Sequence, residues 1–311
     1  MEDAVTLLPL GLLALALAQA PAAAAPREKE PLLWEKLRAR IETLDRNLNG
    51  VLGVAVKDLK TGATIEVRGD RPFPTASSIK VAVLYELYRQ AEEGRIDLSQ
   101  TTRPPVPRVG GGGVLQELGG GVSLTWRDLA VLMMGWSDNE ATNTLIEQVG
   151  MEAVNTRLAG LGLGVTRLRR RMMDLTAARR GDENVATPAE LNKLMEAIYE
   201  GKGLSSDRAK DVVSVAATPK WGSGKSPPAP FRLPLPDTLV VADKSGELEG
   251  VRCVTALVYL PDRPYAATIM TTYLRSDEEG EAAIRDISGA VFDTLDRLGR
   301  ASSLGRIISE R

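Results

Sequence analysis

The stretch Thr75-Ala76-Ser77-Ser78-Ile79-Lys80-Val81-Ala82-Val83-Leu84 decides how the rest of the chain is arranged. Pro74 and Thr75 are residue types that often begin a helix, and apolar residues with helical spacing follow them. Ser77 is therefore expected in the first turn, with Lys80 three residues later on the same face. Burial can lower the pKa of a lysine until its neutral amine accepts a proton, which would make the pair a nucleophile and its base. The pattern Ser-x-x-Lys also occurs by chance in many helices, so other motifs must support this interpretation.

The composition narrows the class of protein. With 311 residues, of which 43% are hydrophobic, the chain can form one large domain or two closely packed ones. The net charge of -2, without any basic or acidic block, gives no indication of a nucleic-acid partner. Histidine is absent, which excludes Ser-His-Asp triads, Cys-His dyads and histidine-ligated metal sites. A hydrolase with this composition must therefore take its catalytic base from Lys, Asp, Glu, Tyr or an amine terminus.

Residues 1–25 are predicted to form an export signal. The segment from Leu7 to Ala25 consists almost wholly of Leu, Ala and Pro, and Ala18-Gln19-Ala20 resembles a signal-peptidase cleavage site. The protein is accordingly expected to be exported, as a periplasmic or secreted protein. Glu2 and Asp3 stand where a signal peptide usually carries Lys or Arg. The alternative is an uncleaved N-terminal membrane anchor, which is the only membrane contact that we expect.

Two conspicuous features are interpreted as structural. Cys253 is the only cysteine and lies in an apolar, strand-like run, which favours a buried, inert thiol. The segment Gly222-Ser223-Gly224-Lys225-Ser226 resembles a phosphate-binding loop. However, Pro219 stands where that pattern requires glycine, and Pro227 and Pro228 prevent the helix that must follow. A surface loop is therefore expected there.

The remaining pattern predicts strands near both ends of the chain and helices in between. A helix with an apolar stripe is expected to begin near Pro31, and a last helix is expected after a capping Ser276. Residues 77–215 give mostly helical signals, with helix starts at Thr125 and Thr187. Alternating or β-branched runs predict five strands, at Val51–Asp58, Ala63–Arg68, Leu239–Asp243, Cys253–Leu260 and Tyr265–Tyr273.

These elements predict an α+β fold. One antiparallel sheet is built from both chain ends, the terminal helices flank it, and an all-helical domain is inserted. Residues 31–72 and 216–311 are assigned to the sheet domain, and residues 73–215 to the all-α domain.

Three short motifs follow one another along the chain. Ser77-x-x-Lys80 begins a predicted helix, Ser137-Asp138-Asn139 ends another, and Lys244-Ser245-Gly246 ends a predicted strand. Each motif is common alone, but together and in this order they resemble the class A serine β-lactamases and the related penicillin-binding proteins. The resemblance covers about residues 33–297 and implies a β-lactamase/transpeptidase-like fold.

The resemblance implies a catalytic role for three side chains. Ser77 attacks the lactam carbonyl and becomes acylated. Lys80 is the base or part of its proton relay, and Ser137 carries a proton towards the lactam nitrogen as it leaves. The substrate class implied is a small molecule, either a β-lactam or an acyl-peptide. The chemistry that the resemblance implies needs no metal and no cofactor.

The resemblance also implies a set of substrate-binding residues. Asn139 binds the side-chain amide of the substrate, and Lys244 and Ser245 contact its carboxylate. The backbone N–H of Glu247, which follows Gly246, forms an oxyanion hole together with the N–H of the nucleophile. Hydrogen-bond donors of this kind typically contribute ~10²–10³ in rate.

One part of the family pattern is missing. A class A β-lactamase carries Arg-x-Glu-x-x-Leu-Asn on a loop after the second motif, and its glutamate holds the water that frees the acylated serine. Here residues 170–176 read Arg-Arg-Met-Met-Asp-Leu-Thr, so the glutamate position falls on Met172 and the asparagine position on Thr176. Methionine cannot activate water. Asp174 is the nearest carboxylate, either as a substitute base or as an ion-pair partner of one of Arg169–Arg171.

Three functions follow from this departure. The first is a class A-like serine β-lactamase, a hydrolase with an atypical deacylation step, which we favour from the motif order and chain length. The second is a cell-wall peptidase or esterase of the same fold. The third is a β-lactam-binding protein that is acylated without turnover, as a sensor is.

Overall fold

The computed structural model describes residues 28–220 and 229–308. The predicted export signal at residues 1–25 and the loop predicted at residues 222–226 lie outside the described residues. Within the described part, no helix combines the length and the apolar character that are needed to cross a membrane.

The described residues form α-helices, short strands of two residues and longer strands of four to eight residues. The described α-helices are α1 (Glu30–Asn47), α2 (Lys80–Glu92), α3 (Trp126–Gly135), α4 (Asn139–Val149), α5 (Met151–Gly160), α6 (Leu175–Arg179), α7 (Pro188–Tyr199), α8 (Ser206–Ala217) and α9 (Asp277–Arg300). The described strands are β1 (Val51–Asp58), β2 (Thr64–Val67), β3 (Phe73–Pro74), β4 (Thr101–Thr102), β5 (Leu124–Thr125), β6 (Val185–Ala186), β7 (Val241–Leu248), β8 (Val251–Val258) and β9 (Tyr265–Thr272).

The long strands form one antiparallel sheet in the order β2-β1-β9-β8-β7. β1 pairs along its full length with β9, so that Val51 lies opposite Thr272 and Asp58 lies opposite Tyr265. The sheet is therefore assembled from both ends of the described chain. The predicted α+β fold is confirmed.

Helices cover both faces of this sheet. On one face, α1 and α9 share an apolar cluster with the strands, which includes Leu37, Ile41, Val54, Ile269, Ile287 and Val291. On the other face, α7 and α8 contact the sheet. Almost every residue of α2 is buried, and the 3-10 turn Ala76–Ile79 that precedes it lies against β7. The start of α2 and the edge strand β7 therefore meet.

The predicted helix starts have local explanations in hydrogen bonding. Thr125, Thr187 and Ser276 each accept a hydrogen bond from the backbone N–H three residues later. These N-caps satisfy donors that the first helical turn leaves unpaired. All three starts are confirmed.

Two predicted motif positions are wrong. β7 does not end at the Lys244-Ser245-Gly246 motif but continues to Leu248, because the strand stays paired with β8 throughout. The Ser137-Asp138-Asn139 motif does not end a helix either. α3 ends at Gly135, and the side chain of Asp138 caps the start of α4. The two domain boundaries stay a prediction.

Candidate active site

Ser77 lies half-buried in the 3-10 turn Ala76–Ile79, which leads directly into α2. Ser77 thus lies in the first turn of a helical segment, but this turn is a 3-10 turn and Thr75 makes no side-chain cap. Its hydroxyl donates instead to the carbonyl of Asn184 at 3.1 Å. Ala76 has a left-handed φ of 46°, which is costly for a residue with a Cβ. Tertiary contacts rather than local capping therefore hold the turn that presents Ser77.

Ser77, Ser137 and Lys80 form a continuous chain of contacts. The Ser137 hydroxyl donates to Ser77 Oγ at 3.1 Å. Lys80 Nζ donates to Ser137 Oγ at 3.1 Å and to the Ser137 carbonyl at 2.7 Å. A third bond from Lys80 Nζ reaches Asn139 Oδ1 at 3.0 Å. The first two motifs thus converge, and the contact to the Ser77 hydroxyl comes from Ser137.

Lys80 is completely buried, with 0% of its surface exposed. Burial lowers the pKa of its ammonium well below the usual value, and the positive charge of Lys244 lowers the pKa further, whereas Asp138 raises it. A lysine with such a lowered pKa can hold a neutral amine, which is the form that accepts a proton.

Asp138 builds the turn that carries Ser137. Its buried carboxylate accepts hydrogen bonds at 2.8 Å from the backbone N–H groups of Val114, Leu115 and Ala141. Ser137 has a left-handed φ of 52° between α3 and α4. The middle residue of the motif therefore has a structural role, which is to fix the position of the serine.

Asn139 is already engaged before any substrate binds. Its Oδ1 accepts from Lys80, and its Nδ2 donates to the carbonyl of Gly110 at 3.2 Å. A Cβ added at Gly113, which has a φ of 101°, would lie 2.3 Å from the Asp138 carboxyl group. Only glycine fits at position 113, because the loop that contains it passes directly against the Asp138 side chain. Binding of a substrate amide by Asn139 requires exchange of its contact with Gly110.

The third motif reaches the nucleophile through a close backbone approach. A Cβ at Gly246 would lie 2.5 Å from the Thr75 carbonyl oxygen and 2.9 Å from the Ser77 backbone nitrogen. A side chain there would therefore push β7 away from the Ser77 turn. Ser78 joins the same two elements, because its hydroxyl donates to the Lys244 carbonyl at 3.1 Å.

Lys244 supplies a buried cation beside this approach. Its side chain donates to the carbonyl of Ser245 at 2.8 Å. Burial lowers the pKa of Lys244 to about 8, although Asp243 and Glu247 raise it. Ser245 is half-buried and Glu247 is exposed. The predicted substrate-binding residues of the third motif therefore lie together beside the nucleophile.

Two hydrogen bonds hold the backbone of Met172 on the loop after the second motif. Asn143 accepts a hydrogen bond from the Met172 N–H at 2.8 Å and donates to its carbonyl at 3.1 Å. The Met172 side chain is only 7% exposed and belongs to the apolar core of the helices. The resemblance seen in the sequence extends to Asn143, but its contact with Met172 was not predicted, since only the fold brings Asn143 to this loop.

The carboxylates near Met172 have structural partners. Asp174 caps α6 by accepting the N–H of Ala177 at 2.9 Å, so its predicted ion pair with the neighbouring arginines is wrong. Arg170 pairs instead with Glu183 at 2.9 Å and closes the loop. Asp182 pairs with Arg180 at 3.2 Å, in the same segment.

Cys253 lies behind the nucleophile turn and is 1% exposed. Its Sγ lies 2.9 Å from the Thr75 carbonyl oxygen and 3.3 Å from Ser78 Oγ. Burial raises the pKa of this thiol to about 11, which favours the inert role that the sequence predicts. Within residues 28–220 and 229–308, no group of three or more acidic or thiol side chains is placed to hold a metal ion.

Comparison with known proteins agrees with this geometry. Residues 35–295 match the beta-lactamase enzyme family. Beta-lactamase PSE-4 of Pseudomonas aeruginosa is 27% identical over 267 residues, which cover 84% of this chain and 90% of that protein. Imipenem-hydrolyzing beta-lactamase of Enterobacter cloacae is 25% identical over 263 residues, which cover 82% of this chain and 88% of that protein.

Solved structures give the same result. The beta-lactamase from Sphaerobacter thermophilus DSM 20745 has a TM-score of 0.74 and 28% identity, and the match covers 84% of this chain and 97% of that one. The L158E mutant of PBP-A, solved as an acyl-enzyme complex with penicillin G, has a TM-score of 0.74 and 25% identity, with 83% and 96% covered. The match along most of the sequence and the shared fold lead to one conclusion: the chain belongs to the beta-lactamase enzyme family, in the group of class A serine β-lactamases and related penicillin-binding proteins.

Proposed function

We propose that the protein opens β-lactam rings through an acyl-enzyme at Ser77 and hydrolyses this acyl-enzyme by an atypical, slow step. The observation that carries the proposal is the unbroken contact chain from Ser77 Oγ to Ser137 Oγ to Lys80 Nζ, with each distance 3.1 Å. It connects a half-buried nucleophile to a fully buried amine in a chain that has no histidine.

Proton transfer follows from the three partners of Lys80. As an ammonium group, Lys80 uses all three N–H donors, on the Ser137 carbonyl, Ser137 Oγ and Asn139 Oδ1. As a neutral amine it keeps two donors and turns its lone pair towards Ser137 Oγ. Ser137 then donates to Lys80, and Ser77 donates to Ser137. The proton of Ser77 thus moves to Lys80 as its oxygen attacks the lactam carbonyl, and Ser137 returns a proton to the leaving nitrogen.

The third motif is proposed to bind the rest of the substrate. Lys244 attracts the ring carboxylate and Ser245 donates a hydrogen bond to it. The backbone N–H groups of Ser77 and Glu247 are proposed to stabilise the oxyanion. The close approach at Gly246 supports this, because it brings β7 to within contact of the Ser77 nitrogen.

The proposed slow release rests on Met172. Its apolar side chain cannot deprotonate a water, and Asp174, Asp182 and Glu183 are engaged as a cap or in ion pairs. The same observation favours a second candidate, a penicillin-binding protein that stays acylated. The similarity to PBP-A, whose mutant was solved as a penicillin G acyl-enzyme, supports this second candidate as well. Acyl-peptides are an alternative substrate class for either.

Export belongs to the same proposal. The Leu-, Ala- and Pro-rich segment Leu7–Ala25 and the cleavage-like Ala18-Gln19-Ala20 support a signal peptide.

A nitrocefin assay combined with intact-protein mass spectrometry tests the proposed function. We expect a burst equal to the enzyme concentration, a protein mass increased by one acyl group, and then a slow linear phase. Ser77→Ala should show neither burst nor mass increase while keeping its thermal unfolding temperature. Covalent labelling of Ser77→Ala would refute the assigned nucleophile. A burst without any linear phase would establish the second candidate.

A further inference from the structure

Lys220 is a buried cation next to the site that none of the three motifs includes. It follows the end of α8, and its side chain is 11% exposed. Its Nζ donates to the carbonyl of Ala216 at 2.7 Å and to the carbonyl of Met134 at 3.3 Å. These carbonyls belong to the last turns of α8 and α3, where a positive charge is favourable. One ammonium group therefore binds carbonyl groups at the ends of both helices.

The same ammonium lies near a buried carboxylate on β7. Lys220 Nζ is 4.0 Å from Asp243 Oδ1, which also accepts from Arg232 Nε at 2.8 Å. Asp243 is 0% exposed, and its Oδ2 has no hydrogen-bond partner among the described residues. Arg232 and Lys220 therefore both lie on the Oδ1 side of this buried carboxylate, and Lys220 is the second cation beside it.

These contacts connect the two segments that border the candidate active site, which are the end of α3 before Ser137 and the strand β7 with Lys244. The end of α3, which Lys220 bonds, leads within three residues to Ser137. Asp243 immediately precedes Lys244 on β7. The end of α3 also packs closely against the end of α8, because a Cβ at Gly135 would lie 2.8 Å from the side chain of Thr218.

We propose that Lys220 is a positioning residue, which holds the end of α3 against Asp243 and so sets the distance between Ser137 and Lys244. This inference rests on the proposed function. The ring carboxylate and the lactam nitrogen belong to one rigid substrate, so Lys244 and Ser137 must lie at a matching distance. A misplacement of about 1 Å can reduce a reaction rate about 10²-fold.

The charge of Lys220 changes near neutral pH. Burial lowers its pKa to about 7, Asp243 raises this pKa, and Lys244 and Arg232 lower it. These are the charged groups that face Lys220, on β7 and on the segment before it. Above pH 7 the neutral amine no longer attracts Asp243 and the helix carbonyls electrostatically. The acylation rate constant should therefore decline as the pH rises through about 7.

The test compares Lys220→Met, Lys220→Arg and a control, Lys210→Met, which alters an exposed lysine of α8, the helix that precedes Lys220. Acylation by benzylpenicillin is followed by mass spectrometry across a range of concentrations and pH values. For Lys220→Met we expect the saturating acylation rate to fall about 10- to 100-fold, with a change of less than about threefold in the apparent dissociation constant. Its decline near pH 7 should disappear, so that only the decline caused by loss of the Lys244 charge near pH 8 remains. Lys210→Met should match the parent.

Lys220→Arg keeps its charge at alkaline pH, so its decline in rate should move to higher pH. A folded Lys220→Met with the parental rate and pH profile would overturn the inference. Where Lys220→Met does not fold, an unchanged decline near pH 7 in Lys220→Arg would overturn it. The proposed function fails separately, if the parent itself is not acylated.

Discussion

At the scale of single residues, three of the six described non-glycine residues with a left-handed φ lie at the site or on the loop after the second motif. Ala76, Ser137 and Met173 have left-handed φ values of 46°, 52° and 61°, and each lies beside or within a functional segment. Such conformations are unfavourable for residues other than glycine and persist where the surroundings impose them. The motifs predict that Ser77, Ser137 and Lys80 are near one another. They do not predict that Ser137 bridges the other two, because the direction of its side chain depends on this unusual φ.

Lys80→Arg tests whether a neutral amine is needed. Arginine keeps its proton at all accessible pH values, so it cannot accept one from Ser137 or Ser77. We expect the acylation rate to fall about 10²–10⁴-fold, as for loss of a general base. Stopped-flow measurement with nitrocefin gives the rate, and a thermal melt checks the fold. Lys193→Arg on the exposed surface of α7 is the matched control. Acylation of Lys80→Arg at the parental rate would exclude Lys80 as the base.

At the scale of elements, the sequence predicts one feature of the loop after the second motif and not another. The absence of its glutamate is visible in the sequence. The structural role of Asp174 is not, since capping of the short helix α6 needs the observed backbone geometry. Likewise, a glycine inside Lys244-Ser245-Gly246 looks like the end of a strand. In the folded chain this glycine allows an unbroken β7 to pass the Ser77 turn.

Two variants of this loop separate the interpretations of slow deacylation. Met172→Glu should increase the rate of the slow phase and leave the burst unchanged, because it places a carboxylate at the position whose backbone Asn143 holds. Asp174→Asn should change neither phase by more than about twofold, because asparagine is as good an N-cap as aspartate. Both phases are read from nitrocefin progress curves. Arrest of the slow phase in Asp174→Asn would instead identify Asp174 as the deacylating base.

At the scale of the whole molecule, three buried lysines meet where α2, α8 and β7 converge. Lys80, Lys220 and Lys244 lie in separate segments of the sequence, and the positive charge of Lys244 lowers the pKa of both Lys80 and Lys220. The sequence predicts the fold at this scale because apolar stripes and strand patterns are local signals. It does not predict this cluster, since nothing near Lys220 in the chain identifies its partners on α3 and β7.

The cluster predicts how stability depends on pH. Burial lowers the pKa of Lys220 to about 7 and that of Lys244 to about 8, whereas an unfolded lysine has a pKa of about 10.4. Between these values the unfolded chain binds more protons than the folded one, so stability increases with pH. We expect the free energy of unfolding to rise between pH 7 and pH 9, by up to about 1.4 kcal/mol per pH unit for each such lysine.

Urea unfolding at a series of pH values measures this rise. Lys220→Met should reduce the slope, because one of the contributing groups is removed. Lys210→Met should leave the slope unchanged. A free energy of unfolding that is constant or falls between pH 7 and pH 9 would contradict the expectation.

The pairing of β1 with β9 also determines when the protein can become active. Because these strands come from opposite ends of the described chain, their contacts have a very large separation in sequence. Folding that depends on such contacts is slow, since loop closure precedes any gain from pairing. During synthesis, Ser77 and Lys80 leave the ribosome long before Lys244 on β7. Ser77, the proposed nucleophile, therefore exists early but lacks its surroundings until the last strands dock. If the proposed function holds, acylation by a β-lactam would report completion of folding.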